Sequence, residues 1–191
     1  MADQGSPRPI AVGPGKVRFT GSQVLAMQGA GVLPMPNRIE LVDGELLDMG
    51  SEGARHSKLK ALLTRCIAKA LPDPLGIGPD TTLRLDDSVW LEPDLFLYPL
   101  QLEPAEVRGP DALLVIEIAD TSLAYDLKDK AALYASYGVR EYWVIEAESG
   151  RTHVHQGPEG KGWRLVRIAE PDDKLTALFV AEVSVKISDL I

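Results

Sequence analysis

Asp111-Ala-Leu-Leu-Val-Ile-Glu-Ile-Ala-Asp120 decides the fold of this chain. A run that is apolar on both faces reads as a strand covered from both sides, and such strands lie inside a sheet with helices against it. Glu117 stands in the middle of that run. A carboxylate there loses its hydration and needs a cation, a hydrogen-bond donor or a metal ion as partner. The rest of the chain is read for that partner.

Downstream of the strand, Asp120-Thr-Ser122 forms a turn and capping stretch. A helix is expected from about Leu123 to Tyr137, ended by Gly138. On a helical wheel Leu133, Tyr134 and Tyr137 share the apolar face, and Lys130 points into the same arc. Lys128, Asp129, Ala132 and Ser136 point the other way. A lysine facing the core needs an acid or loses its proton. Asp126, four residues before Lys130, offers a simple helical ion pair as one alternative. Glu141-Tyr-Trp-Val-Ile is the next strand. Thr152-His-Val-His, Trp163 to Ile168 and Leu178 to Ile187 read as a mostly antiparallel remainder. His153 and His155 alternate on a strand with no third ligand nearby, so surface histidines are expected there.

Upstream, residues 1–17 read as an irregular tail rich in Gly and Pro, and 18–191 as a single domain. Thr20 or Ser22 would cap a short helix. Asp43-Gly44 between two apolar-rich runs is a hairpin signal, with Glu45 the first residue after the turn. Ser51 to Leu71 reads as a helix stopped by Pro72 and Pro74. Its apolar stripe holds Leu59, Leu62, Leu63, Cys66, Ile67 and Ala70, with His56 on the same side. Arg55, Lys58, Arg65 and Lys69 form a basic flank, either a solvated face or a contact for a nucleic-acid backbone. Thr81 to Leu85 and Val89 to Tyr98 are strand candidates. Pro93 within the second implies an edge or a bulge, and Asp94 follows it.

The chain has 191 residues, a net charge of -8 and a single cysteine, Cys66. The acidity excludes a non-specific nucleic-acid coat, though not an enzyme with a local basic patch. One cysteine excludes a disulfide framework and a multi-cysteine zinc site. Neither a membrane span nor a signal sequence is legible, so no membrane partner and a cytoplasmic location are expected.

The fold class is mixed α/β, with strands around one central strand and helices against them. Asp94 and Glu117 each interrupt an apolar strand, and Lys130 enters from the helix that follows. Carboxylates with a lysine suit a hard divalent cation and a phosphodiester. Glu45 is a further acid at a strand start. Each has a plainer reading: a bulge acid for Asp94, a structural ion pair for Glu117, an exposed hairpin residue for Glu45, a satisfied half-buried side chain for His56.

EPD at 92–94, PDALLVIEIADTS at 110–122 and DLKDKAALYASYGVREYWVI at 126–145 resemble the Uma-type family of restriction-endonuclease-like proteins, in the PD-(D/E)XK nuclease superfamily. RIELVDGELLDM at 38–49 and His56 extend the resemblance. It implies a restriction-endonuclease-like mixed sheet flanked by helices, with additional antiparallel strands. Asp94, Glu117 and the carbonyl of Ile118 would hold Mg²⁺, with Mn²⁺ as a substitute. Lys130 would take the place of the motif lysine, since position 119 is alanine. Glu45 would match an upstream acid and His56 a recurring histidine. The implied activity is hydrolysis of phosphodiester bonds, with DNA as the expected partner and a homodimer as the expected assembly. A module that keeps the fold without cleaving, and a structural domain whose charges pair internally, remain the competing readings.

Overall fold

The computed structural model describes residues 16–33 and 38–191; of the expected N-terminal tail, 1–15 lie outside the described residues. A first helix, α1 (Gly21–Gly29), is capped by Thr20, whose side chain accepts from the Gln23 N–H while Gln23 reaches back to the Thr20 N–H. The hairpin β1 (Ile39–Val42) and β2 (Glu45–Asp48) pairs Val42 with Glu45. Its two turn residues, Asp43 and Gly44, have φ of 50° and 77°. Positive φ at both positions gives the turn whose twist matches its strands, and Asp-Gly supplies it at low cost.

Helix α2 spans Ala54–Ala70 and starts three residues later than Ser51. Gly53 stays extended and caps it, and a Cβ on Gly53 would lie 2.9 Å from Asp120 Oδ2. Three strands follow: β3 (Leu75–Pro79), β4 (Leu83–Arg84) and β5 (Trp90–Leu91). The expected strand over Val89–Tyr98 is in fact two. β5 ends before Pro93, and β6 (Leu95–Pro99) starts after it in a different sheet. Pro93 is thus neither an edge residue nor a bulge. It cannot donate to a ladder and restricts the residue before it, so it makes the joint between two sheets. Asp94 sits at that joint.

The organising strand is β7 (Leu114–Ala119), and all six of its residues are buried. Helix α3 begins at Leu123–Tyr125, passes through a π-helical turn at Asp126–Lys130 and continues as Ala131–Ser136. Then come β8 (Glu141–Glu146), the hairpin β9 (Thr152–Glu159) with β10 (Gly162–Ala169), and two short strands, β11 (Leu175–Thr176) and β12 (Ser184–Val185). The last pair replaces the longer strand expected over Leu178–Ile187. There Val180, Val183, Val185 and Ile187 bury against the α2 side of the core without a ladder long enough for a full strand.

One sheet of six strands has the order β10-β9-β8-β7-β6-β3, and one of four the order β2-β1-β5-β4. In the larger sheet β7 pairs antiparallel with β6 and parallel with β8. The helix α3 between β7 and β8 is the crossover that a parallel pair requires. Leu114, Ile116 and Ile118 face Leu59, Leu63 and Ile67 of α2. Val115 and Ala119 face Ala131 and Tyr134 of α3. Each buried aliphatic side chain stabilises the sandwich by roughly 1.5–3 kcal/mol. Alternation along β7 therefore sends Glu117 to the α3 face. No described helix is long and apolar enough to cross a membrane.

The β9–β10 hairpin corrects one expectation. His153 pairs with Glu146 at 2.9 Å, but His155 is buried among the rings of Tyr142 and Trp163 instead of lying at the surface. Burial lowers its pKa below the ordinary histidine value. The unfolded chain then takes up the proton first as pH falls. Stability contributed by neutral His155 is present above about pH 6.5 and is lost as pH drops toward the lower folded value. Urea titrations at several pH values, for wild type and His155→Phe, should differ in slope only in that window. Parallel profiles would refute the assignment.

Candidate active site

Register builds the site. β6 and β7 pair Leu95 with Ile116, so one further step sets Asp94 opposite Glu117. Asp94 Oδ2 accepts the Ile118 N–H at 2.7 Å, and Oδ1 lies 2.8 Å from His56 Nε2. Arg38 and Lys60 approach the same oxygen at 3.8 and 3.5 Å. Burial alone would raise the Asp94 carboxyl, but the His56 contact, the Ile118 N–H and the Arg38 charge together hold it below its ordinary value.

Glu117 meets α3. Lys130 Nζ donates to Glu117 Oε1 at 2.8 Å, and the Tyr134 hydroxyl donates to the same oxygen at 2.9 Å. Lys130 also lies 2.8 Å from Glu40 Oε1 but 3.9 Å from Asp126. The helical pair with Asp126 is therefore the weakest of its three contacts, and Asp126 takes a hydrogen bond from Ser122 Oγ at 2.5 Å instead. Burial would strip the Lys130 proton, but Glu117, Glu40 and Asp126 hold it on, well above the ordinary lysine value. Glu117 moves up because burial outweighs the Lys130 attraction, with Asp94, Asp126 and Glu40 adding like charge.

Lys130 closes the π-helical turn of α3. The Ala131 N–H donates to the Asp126 carbonyl, one residue further back than in an α-helix. The Tyr142 hydroxyl also donates to that carbonyl, at 3.1 Å, an intrusion into the ladder of the kind that accompanies such turns.

Asp94, Glu117, Ile118, His56 and Lys130 line one cleft of about 240 Å³, joined by Arg38, Glu52 and Asp126 and rimmed by Ser51, Gly53, Thr121 and Ser122. Ile118 meets Asp94 through its N–H. Glu45 does not line the cleft. At the turn end of the hairpin it is one-third exposed and pairs with Lys16 at 2.8 Å and Arg18 at 3.8 Å. Those partners, the Lys16 hydrogen bond first, hold its pKa below the ordinary value. The acid this hairpin sends inward is Glu40 of β1, fully buried. Its Oε1 accepts the Glu92 N–H at 3.1 Å as well as Lys130, while Oε2 has no hydrogen-bond partner among the described residues. The signal for Glu40 is the one that singles out Glu117, an acid inside an apolar strand. The Asp-Gly turn draws attention to Glu45, which lies outside the cleft. Glu52, Arg38 and Lys60 carry no local signal; long-range contacts alone bring them together.

Around the cleft six carboxylates, Glu40, Glu52, Asp94, Glu117, Asp120 and Asp126, face three cations, Arg38, Lys60 and Lys130. Carboxylate oxygens that outnumber the cations beside them suit a hard divalent ion. Arg55, Lys58, Arg65 and Lys69 are all exposed on α2. The helical repeat turns them away from His56 and Lys60, and Arg55 lies 3.8 Å from Glu148.

Residues 23–188 match the Uma2 family, described as "Putative restriction endonuclease". The chain belongs to that family. A crystal structure of a "putative nuclease belonging to DUF820" from Anabaena variabilis ATCC 29413 has the same fold. It superposes with a TM-score of 0.63 at 15% identity, over 86% of this chain and 96% of that one. No curated protein matches the chain. The restriction-endonuclease-like architecture expected from the sequence is the one observed, and membership of Uma2 supports a nuclease reading.

Proposed function

We propose that this Uma2 chain is a divalent-metal-dependent nuclease that hydrolyses phosphodiester bonds in DNA. One observation carries the reading. Asp94, Glu117 and Lys130 come from three different elements and converge in one cleft that is short of positive charge. Asp94 and Glu117 are the residues that would hold Mg²⁺ or Mn²⁺, with Ile118 beside them. The ion would supply a water of lowered pKa and neutralise charge on the phosphate.

The chain's own groups do the rest. Lys130 stays protonated and fixed between Glu117 and Glu40, so its charge is in place before substrate arrives. A preorganised ammonium in a water-poor cleft stabilises charge that develops on a phosphate oxygen. The Tyr134 hydroxyl orients Glu117. Arg38 lines the cleft, where its guanidinium would meet a phosphate. The exposed basic flank of α2 would meet a duplex only where it extends beyond the cleft.

Nicking of supercoiled plasmid with Mn²⁺ tests the proposal. Wild type should nick, and Glu117→Gln should be slower by at least about a hundredfold. Absence of nicking by wild type on DNA would favour the non-cleaving module.

A further inference from the structure

We infer that Glu52, His56 and Asp94 form a cation-binding triad that takes a nitrogen-accepting divalent transition ion, Mn²⁺ or Co²⁺, in preference to Mg²⁺. The inference rests on the proposed nuclease site and deepens it, because Asp94 belongs to both.

The geometry is on α2 and at the sheet joint. One ligand atom from each of the three residues lies within 4.8 Å of the other two. His56 Nε2 stands 2.8 Å from Asp94 Oδ1 and 3.5 Å from Glu52 Oε1. Glu52 lies just before α2 and His56 four residues on, in its first turn; His56 is buried, so the imidazole is held toward Asp94 by packing. All three residues line the cleft and are reachable from it.

Two cations now stabilise this cluster. Lys60 Nζ is 2.6 Å from Glu52 Oε1, and Arg38 NH1 is 2.6 Å from the same oxygen. Neither would be stranded if an ion displaced it. Lys60 also binds Asp80 Oδ1 at 2.6 Å, on the exposed side, and Arg38 NH2 donates to the Glu92 carbonyl at 2.6 Å. The protein therefore holds substitute cations on long, flexible side chains, each with a second partner to retain. The donor set is one imidazole nitrogen and two carboxylate oxygens. Magnesium keeps to oxygen and water, whereas Mn²⁺ accepts an imidazole nitrogen more readily and Co²⁺ more readily still. His56 thus sets the preference among metals, and Glu117 does not.

Pulsed EPR of the full chain with Mn²⁺ tests this directly. Nitrogen modulation of the Mn²⁺ echo is expected in wild type and should vanish in His56→Gln. Calorimetry on the same proteins should show Mn²⁺ affinity about tenfold or more weaker in His56→Gln, with Mg²⁺ affinity nearly unchanged. Glu52→Gln should lower Mn²⁺ affinity while keeping the nitrogen signal. The wild-type echo needs no variant to fold. Mn²⁺ binding without nitrogen modulation, or an unchanged Mn²⁺ to Mg²⁺ ratio in His56→Gln, would overturn the triad and leave the nuclease reading standing. No binding of either ion to wild type would overturn both.

Discussion

Lys130→Met should fold poorly or lose about 3–5 kcal/mol of stability, because it leaves buried carboxylates without their cation. Glu117 and Glu40 each lie 2.8 Å from the ammonium, and both are buried. Removing it leaves like charges facing one another in a medium that solvates neither. Nicking activity should fall at least about a hundredfold in protein that does fold. The double variant Lys130→Met with Glu40→Gln separates the two effects. It removes one stranded charge, so it should recover part of the stability and none of the activity. Urea unfolding of wild type, both single variants and the double variant yields the coupling energy. Additive losses would mean that Glu40 and Lys130 do not act as a pair, and normal nicking by Lys130→Met would remove Lys130 from the catalytic set.

Asp94→Ala should abolish Mn²⁺ binding in calorimetry and destabilise the protein as well. The carboxylate is the acceptor for the Ile118 N–H and the anion nearest His56, with Arg38 and Lys60 close by. An orphaned buried N–H costs about 1–3 kcal/mol, and the neighbouring cations lose a counter-charge. Asp94→Asn keeps a side-chain oxygen for the Ile118 N–H. It should regain much of the stability lost in Asp94→Ala while still failing to bind Mn²⁺. Wild-type affinity in Asp94→Asn would show that the ion is held elsewhere.

The parts of this fold that the sequence discloses are those fixed by local pattern. β7 is legible because a strand covered on both faces has no polar alternation to confuse with a loop. Lys130 is legible because its wheel position conflicts with its charge. The hairpin at Asp43-Gly44 follows from two positive φ values that few other dipeptides adopt cheaply. What escapes is set by distant partners. Pro93 signals a disruption, but whether it bends one strand or divides two depends on the sheet that β5 joins. Glu40 lies in a strand of only four residues, so the signal it shares with Glu117 is fainter there than in β7. His155 alternates like a surface residue, and only the rings of Tyr142 and Trp163 make it interior.

The single extra residue in the π-helical turn of α3 has a bearing on how such a site can change. An α-helix advances about 100° per residue, so one inserted position rotates everything after it by that amount. Lys130 closes the turn and Tyr134 follows it, four residues on, and both end on the same oxygen of Glu117. The helix is a dial whose setting selects which side chain addresses the β7 acid. With alanine at position 119, the lysine that meets the β7 acid comes from this helix and not from the strand, and it still lies in the cleft.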